Sequence, residues 1–399
     1  MGDLVPAAIA REEKTQMFER TLFNEEHDMF REMVRRFVEK EISPYHAEWE
    51  KDGRVSREAW RKAGENGLLC AAMPEEYGGA GADFVFSMIV MEELARAGAM
   101  GPGFSLHSDI VAPYILHYGS DELKAKWLPK MAAGEVIGAI AMTEPAAGSD
   151  VQGIKTTAVR DGDEFVINGQ KVFITNGGNC DILVLACKTD PSQGAKGTSL
   201  ILVEADRVGF TKGKLLEKVG WKAQDTAELF FDNVRVPVGN LLGAEGRGFY
   251  QLMEQLPQER LIQAVRASAA LEAALEWTVD HTSQRKAFGR SIADFQNTRF
   301  KLAEIKAQAV VMRVFTDKCL EMHLEKKLDA VDAALAKMVT SETLCKCLDD
   351  CLQMFGGYGY MWEYPVARAW ADARVGRIAG GTGEIMREII GRAVTGGAK

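Results

Sequence analysis

The chain lacks an excess of basic residues: 48 Lys and Arg stand against 57 Asp and Glu, leaving a net charge of −9 at neutral pH. A nucleic-acid-binding face needs clustered positive charge, so that class of partner is disfavoured. No apolar run reaches membrane-spanning length. The amino-terminal stretch MGDLVPAAIAREEK lacks the basic start and long apolar segment of a secretory signal, and its early acids disfavour an organelle transit peptide. Neither a P-loop GxxxxGKS or GxxxxGKT, nor HExxH, nor GxSxG occurs. Gly79-x-Gly81 and Gly357-x-Gly359 look like pieces of a dinucleotide fingerprint, but the third glycine is missing and neither opens a βαβ unit, which argues against a nicotinamide Rossmann site. Cys345, Cys347 and Cys351 cluster without a histidine at ligand spacing, so they read as small buried hydrophobes on a helix and no metal is expected. With Cys70, Cys180, Cys187 and Cys319 the cysteine count is seven; an odd count without a signal peptide predicts reduced thiols and a cytoplasmic location.

What is present reads as three blocks. In the first, Asn24 predicts an N-cap ahead of the amphipathic run Phe30–Val38, Ser56 caps a second helix ending near Gly67, Pro74–Asp83 is a loop, and Phe84–Ala97 and Asp121–Ala133 are helices. Near residue 136 the pattern changes. Glu164–Gly177 carries Asn168-Gly169, a hairpin signal, and Asp181–Asp190, Thr198–Asp206 and Glu228–Pro237 follow as strands, a stretch that looks antiparallel because no helices intervene. From Gly248 the helical period returns, with long segments at Leu256–Gln284, Asp294–Glu325 and Leu328–Phe355 that predict a bundle. The expected division is a helical domain over 1–135, a β domain over 136–245 and a helical bundle over 246–399.

Short segments carry the chemical signals. TEPAAGSD, Thr143–Asp150, offers backbone N–H groups and the Ser149 hydroxyl to an anion such as a phosphate, or is an ordinary polar turn. QMFGGYGY, Gln353–Tyr360, ends a helix in glycines, and RKAFG, Arg285–Gly289, puts a guanidinium near an aromatic ring. IAGGTGEIM, Ile378–Met386, has glycines that let backbone approach a ligand, with Glu384 its nearest titratable group.

In this order and spacing, AMTEPAAGSDVQG (Ala141–Gly153), VFITNGG (Val172–Gly178), QRKAFGRSIADFQ (Gln284–Gln296), QMFGGYGYMWEYPVARAWADAR (Gln353–Arg374) and GGTGEIM (Gly380–Met386) resemble the acyl-CoA dehydrogenase family, the first and fourth resembling its two signatures. The resemblance covers essentially the whole chain and implies an α+β fold: an N-terminal helical domain, a middle antiparallel β domain and a C-terminal four-helix bundle. It implies FAD as cofactor. By that resemblance Met142 and Thr143 meet the pyrimidine edge of the flavin, Phe173 shields a ring face, Thr175 bonds near N5, and Ser149 contacts the pyrophosphate or the CoA portion of the substrate. Arg285, Phe288 and Gln296, with Gln353, Gly356 and Gly357, reach the FAD of a neighbouring subunit, while Thr382 and Glu384 sit over another part of it. Ala287 departs from the pattern, since many relatives have a hydroxyl residue there. Sharing across subunits implies a homo-oligomer, commonly a tetramer.

The family's usual glutamate base falls at Gly380, so that base is absent. LPQERL, Leu256–Leu261, is similar to the arrangement in the long-chain branch, which makes Glu259 the candidate base. From the residues alone, Leu256 and Ile262 would partly desolvate Glu259, whereas Arg260 and Gln263 read as a polar, exposed helix face. The implied reaction is α,β-dehydrogenation of a medium- or long-chain or branched acyl-CoA, with Gly380 donating through its backbone, Gly381 giving room, Tyr250 and Arg260 on the substrate side, and an electron-transfer flavoprotein as electron acceptor. A flavin oxidase or monooxygenase of the same fold, and a non-catalytic helical interaction protein, are the alternatives.

Overall fold

The computed structural model describes residues 19–397, so the amino-terminal stretch read for targeting signals lies outside the described residues. The first block is helical. Helix α1, Glu25–Phe37, starts at Asn24, whose side chain accepts from the His27 N–H while His27 accepts from the Asn24 N–H, a reciprocal cap with acids filling the first turn. A wide turn over Val38–Ile42 leads into α2, Ser43–Asp52. Ser56 caps α3, Arg57–Glu65, and Asp83 caps α4, Phe84–Arg96, which is buried on nearly every face. The short α5, Phe104–Leu106, runs through another wide turn into α6, Ala112–Tyr118, and Ser120 caps α7, Asp121–Ala132.

The sheet follows: β1 Gly138–Ala141, β2 Thr157–Asp161, β3 Glu164–Thr175, β4 Ile182–Lys188, β5 Thr198–Glu204, β6 Phe210–Leu215 and β7 Thr226–Pro237. Its order is β1-β4-β2-β3-β7-β6, with β5 antiparallel on β4. Two sequence expectations are corrected here. The sheet is mixed, because β1 pairs parallel with β4. A parallel pair needs the chain to return to the same end before pairing, and here the β2–β3 hairpin makes that return, so the lack of helices did not exclude it. Asn168-Gly169 is not a turn either. The hairpin turns at Gly162-Asp163, and Asn168 and Gly169 lie inside β3, where Asn168 accepts from the Asn233 N–H at 2.9 Å. Gly169 is required by close approach: a Cβ there would lie 2.5 Å from the Thr156 hydroxyl.

The last block opens with α8, Gly248–Gln284, which starts at Gly248, where the helical period returns, and carries Pro257 inside it. A hairpin of β8, Lys286–Ala287, and β9, Arg290–Ser291, leads to α9, Gln296–Leu324. Helix α10, Ala330–Phe355, then α11, Pro365–Ala373, and α12, Gly383–Thr395, complete the chain. Helix α8 serves two cores. Leu252, Leu261, Ile262, Ala264 and Val265 pack with the amino-terminal helices, while Ala267, Leu271 and Ala274 pack inside the bundle. Cys347 and Cys351 belong to that bundle core, and none of the cysteines is disulfide-bonded. Among the described residues no group of His, Cys, Asp and Glu is placed to hold a metal ion, and no helix is long and apolar enough to cross a membrane.

Candidate active site

The amino-terminal half of α8, clamped between two cores, carries Glu259. The side chain is buried, at 6 % exposure, rather than on an exposed polar face. Burial pushes its carboxyl up to about 7, opposed by a hydrogen bond from Tyr114 and by the charge of Arg260. The Tyr114 hydroxyl donates to Glu259 Oε1 at 3.0 Å, and Tyr114 itself is fully buried on α6. Sequence reading missed this tyrosine. It lies 145 positions away and sits in no motif, so no local signal could have found it.

The glycine segment before α12 packs over the same stretch of α8. Gly380 has φ +68° and Gly381 φ +96°, a left-handed region that side chains disfavour. A Cβ built on Gly380 would meet Gln263 Cγ at 3.9 Å and nothing nearer, and Gln263 is one helical turn past Glu259. Thr382 caps α12 by accepting from the Ile385 N–H at 3.3 Å. Glu384 is exposed in the first turn of that helix, where a backbone N–H and the Thr382 hydroxyl hold its carboxyl below the usual range. It stays an anion at a helix start, which is poor placement for a base. Lys337 on α10, its ammonium lowered to about 8 by burial and by Arg260, donates to the Gly381 carbonyl and fixes the segment from below.

At the end of β1 the structure brings Met142, Thr143, Phe173 and Thr175 together. The Val172 N–H donates to the Thr143 carbonyl at 2.9 Å, and Lys171 Nζ donates to the Met142 carbonyl at 2.9 Å. Lys171 also pairs with Glu144 at 2.8 Å, and Glu144 accepts from the N–H groups of Lys155 and Thr156, which clasps the loop carrying the exposed Ser149. Phe173 is 66 % exposed at φ +61°, where the pairing of β3 with β7 slips between Lys171 and Ile174. A bulky residue at positive φ with its ring in the open is a local cost that neighbouring packing must hold in place. A planar ligand stacked on that ring would account for it, and the flavin of FAD fits that description.

Six further candidate positions form a separate group. Arg285, exposed at the far end of α8, lies 5.7 Å from the centre of the Tyr358 ring, which brings the hairpin beside Gln353, Gly356 and Gly357 at the end of α10. Phe288 at the hairpin tip is 95 % exposed at φ +52°, and Gln296 is exposed at the start of α9. From Glu259 to Arg285 the helix axis spans about 39 Å at about 1.5 Å per residue. One chain does not bring this group to Glu259. Of the remaining candidates, Tyr250 is partly exposed under the Arg247 guanidinium, 4.4 Å from its ring centre. Arg260 is buried, with a long 3.5 Å contact from Nη1 to the Ala330 carbonyl and an unpartnered Nε.

The chain matches three family models: acyl-CoA dehydrogenase N-terminal domain over residues 24–135, middle domain over 139–234 and C-terminal domain over 246–395. It is 52% identical over 377 residues to the mitochondrial long-chain specific acyl-CoA dehydrogenase of Sus scrofa, covering 94% of this chain and 88% of that one. The crystal structure of an acyl-CoA dehydrogenase from Geobacillus kaustophilus superposes with a TM-score of 0.93 at 48% identity, covering 94% of this chain and 100% of the other. A glutaryl-CoA dehydrogenase from Mycobacterium smegmatis, solved in complex with FADH2, superposes with a TM-score of 0.87 at 28% identity, covering 94% and 96%.

Proposed function

The chain belongs to the acyl-CoA dehydrogenase family and is an enzyme of that class, and we propose that it dehydrogenates the α,β bond of a medium- or long-chain or branched acyl-CoA with Glu259 as its base and FAD as its cofactor. The observation that carries this reading is the buried, Tyr114-bonded carboxylate of Glu259, one helical turn from Gln263, which meets Gly380, the position of the family's usual base. Burial makes Glu259 a stronger base, and a value near 7 still leaves much of it ionised at neutral pH. Tyr114 holds one carboxylate oxygen and leaves the other for the α-proton. The backbone N–H of Gly380 would donate to the thioester oxygen as charge develops there, at no cost in side-chain reorganisation. Bound FAD supplies the acceptor for the hydride that leaves Cβ.

Met142, Thr143, Phe173 and Thr175 would hold the flavin end of the cofactor, with Thr382 and Glu384 over another part of it. Ser149 would meet a phosphate of the cofactor or of CoA, and Tyr250 and Arg260 would stand on the substrate side. Arg285, Phe288, Gln296, Gln353, Gly356 and Gly357, too far from Glu259 within one chain, would serve the site of a neighbouring subunit in a homotetramer. An apolar stripe on α9, Phe300, Ala303, Ala307, Val311 and Val314, is exposed and supports such packing. An electron-transfer flavoprotein is the proposed electron acceptor and the cytoplasm the proposed location; the domain division at 135/136 and 245/246 is part of the same reading.

The test is Glu259→Gln. The variant should retain its yellow cofactor, while anaerobic titration with acyl-CoA thioesters leaves the flavin absorbance unbleached. Bleaching at the wild-type rate would remove Glu259 from the mechanism.

A further inference from the structure

Lys171 on β3 is fully buried, and its ammonium reaches two groups on the loop after β1: the Glu144 carboxylate at 2.8 Å and the Met142 carbonyl at 2.9 Å. Glu144 is shared, because it also accepts from the N–H groups of Lys155 at 2.6 Å and Thr156 at 3.0 Å. Burial pulls the ammonium below its ordinary range, opposed by Glu144. A buried ion pair is rarely a net gain over well-packed apolar side chains, so this one, beside the candidate flavin site, needs a reason beyond stability.

The hydrogen bonds of the loop supply one. The Thr143 carbonyl accepts from the Val172 N–H at 2.9 Å, and the Glu144 N–H donates to the Ala147 carbonyl at 2.9 Å. The Ala147 N–H donates back to the Glu144 carbonyl at 3.1 Å. Among the described residues the Thr143 N–H donates to no protein group. That N–H belongs to the same peptide unit as the Met142 carbonyl. The unit is trans, so the two groups point to opposite sides of one plane. Lys171 therefore holds one end of a peptide dipole whose other end faces away from the ammonium and is open to a ligand. An ammonium on the carbonyl polarises the unit and makes its N–H a stronger donor. The Val172 bond ties Thr143 to the residue before Phe173, so this donor and the exposed ring belong to one site.

We propose that Lys171 is a positioning residue for FAD: it fixes and polarises the Met142–Thr143 peptide, so that the Thr143 N–H binds the flavin's pyrimidine edge more strongly as charge gathers there. Lys171 thereby raises the readiness of the bound flavin to take electrons. This rests on the reading of Met142 and Thr143 as holding the flavin end of the cofactor. A donor fixed where negative charge develops favours the charged form over the neutral one. Lys171 acts without touching the flavin. Its net charge is balanced by Glu144, and its effect travels through one peptide.

The experiment measures the two-electron potential of the flavin in the holoenzyme by equilibration with a reference dye. It compares the wild type with two charge-neutral pairs, Lys171→Met with Glu144→Gln and Lys171→Gln with Glu144→Gln, so that neither leaves a lone buried charge. The Met pair removes both the charge and the hydrogen bond to the Met142 carbonyl, while the Gln pair keeps a neutral donor. The Met pair should favour the oxidised flavin by about 3- to 10-fold over the wild type, a potential about 14–30 mV more negative, with the Gln pair between. A smaller shift in the Met pair overturns the proposal. Fluorescence of FAD released on dilution separates a merely structural role. Cofactor lost more easily at an unmoved potential means that Lys171 only braces the loop, which also overturns it. If the Met pair does not fold, the Gln pair decides, by a potential below the wild type's or equal to it. If neither folds, wild-type protein carrying FAD labelled with 13C at its C2 carbonyl decides: the line should lie downfield of free FAD, and an unshifted line overturns the proposal. A wild-type protein that holds no flavin removes the flavin reading and the proposal together, whereas a yellow wild type whose variants keep its potential removes the proposal alone.

Discussion

At the residue scale, Glu259, if it is the base proposed above, sets stability against activity. Its carboxyl has an ordinary value of 4.5 and is raised to about 7 in the folded chain, mainly by burial. Below pH 4.5 the group is protonated folded and unfolded, and it leaves stability untouched. As pH rises from about 4.5 to about 7 the unfolded chain ionises while the folded chain still holds the proton, so stability falls by about 3 kcal/mol across that window and levels off above it. Glu259→Gln keeps an acceptor for Tyr114 and removes that charge. Its thermal midpoint should therefore exceed the wild type's most at pH 8 and least at about pH 4; an equal gain at both values would mean the carboxylate is not strained by burial. Tyr114→Phe makes the complementary prediction. The hydroxyl favours the ionised carboxylate, so its loss should move the acid limb of kcat/KM to higher pH by about one unit. An unmoved limb would detach Tyr114 from the base. As a candidate base Glu259 was suggested only by resemblance, and its burial was not legible because Arg260 and Gln263 beside it read as an exposed face. Tyr114 was not legible at all, since a contact made across 145 positions leaves no local trace.

At the element scale, the helices were the easiest to read and the sheet the hardest. Caps at Asn24 and Ser56 write a helix start into a few neighbouring residues, and each starts a helix here. Asn168-Gly169 carries the same local signal as a turn, but its glycine answers Thr156 on a neighbouring segment, information that only the assembled sheet contains. The Gly380 segment is similar: its glycines were visible, while their packing on α8 beside Gln263 was not. That packing yields a prediction. Glutamate at position 380, added to Glu259→Gln, meets open space, the nearest neighbour of its Cβ being Gln263 Cγ at 3.9 Å. It must also adopt φ near +68°, which costs about 1–2 kcal/mol. Gly380→Glu in that background should lower the thermal midpoint yet restore part of the flavin bleaching. A stable double variant with no bleaching would show that the segment does not face the reacting carbons.

At the scale of the whole molecule, the helix–β–helix order was legible from periodicity, yet periodicity says nothing of which faces stay uncovered. The folded chain leaves Phe288 almost wholly exposed on a two-residue hairpin turn, at φ +52° followed by Gly289 at φ +79°. Such turns favour asparagine at the first position and gain nothing from phenylalanine. The ring is therefore costly in an isolated chain and useful only where another surface covers it. If the hairpin completes a neighbour's FAD site, two properties must fail together when the ring is removed. Phe288→Asn should fold at least as well, since asparagine suits the turn. Sedimentation should then show smaller species than the wild type gives, and the retained cofactor should fall as the protein is diluted, because subunit loss opens the proposed shared site. A variant that keeps the wild type's size and holds FAD equally at every concentration would confine the site to one chain. That result would leave the 39 Å between Glu259 and Arg285, at about 1.5 Å per residue, without a functional reason.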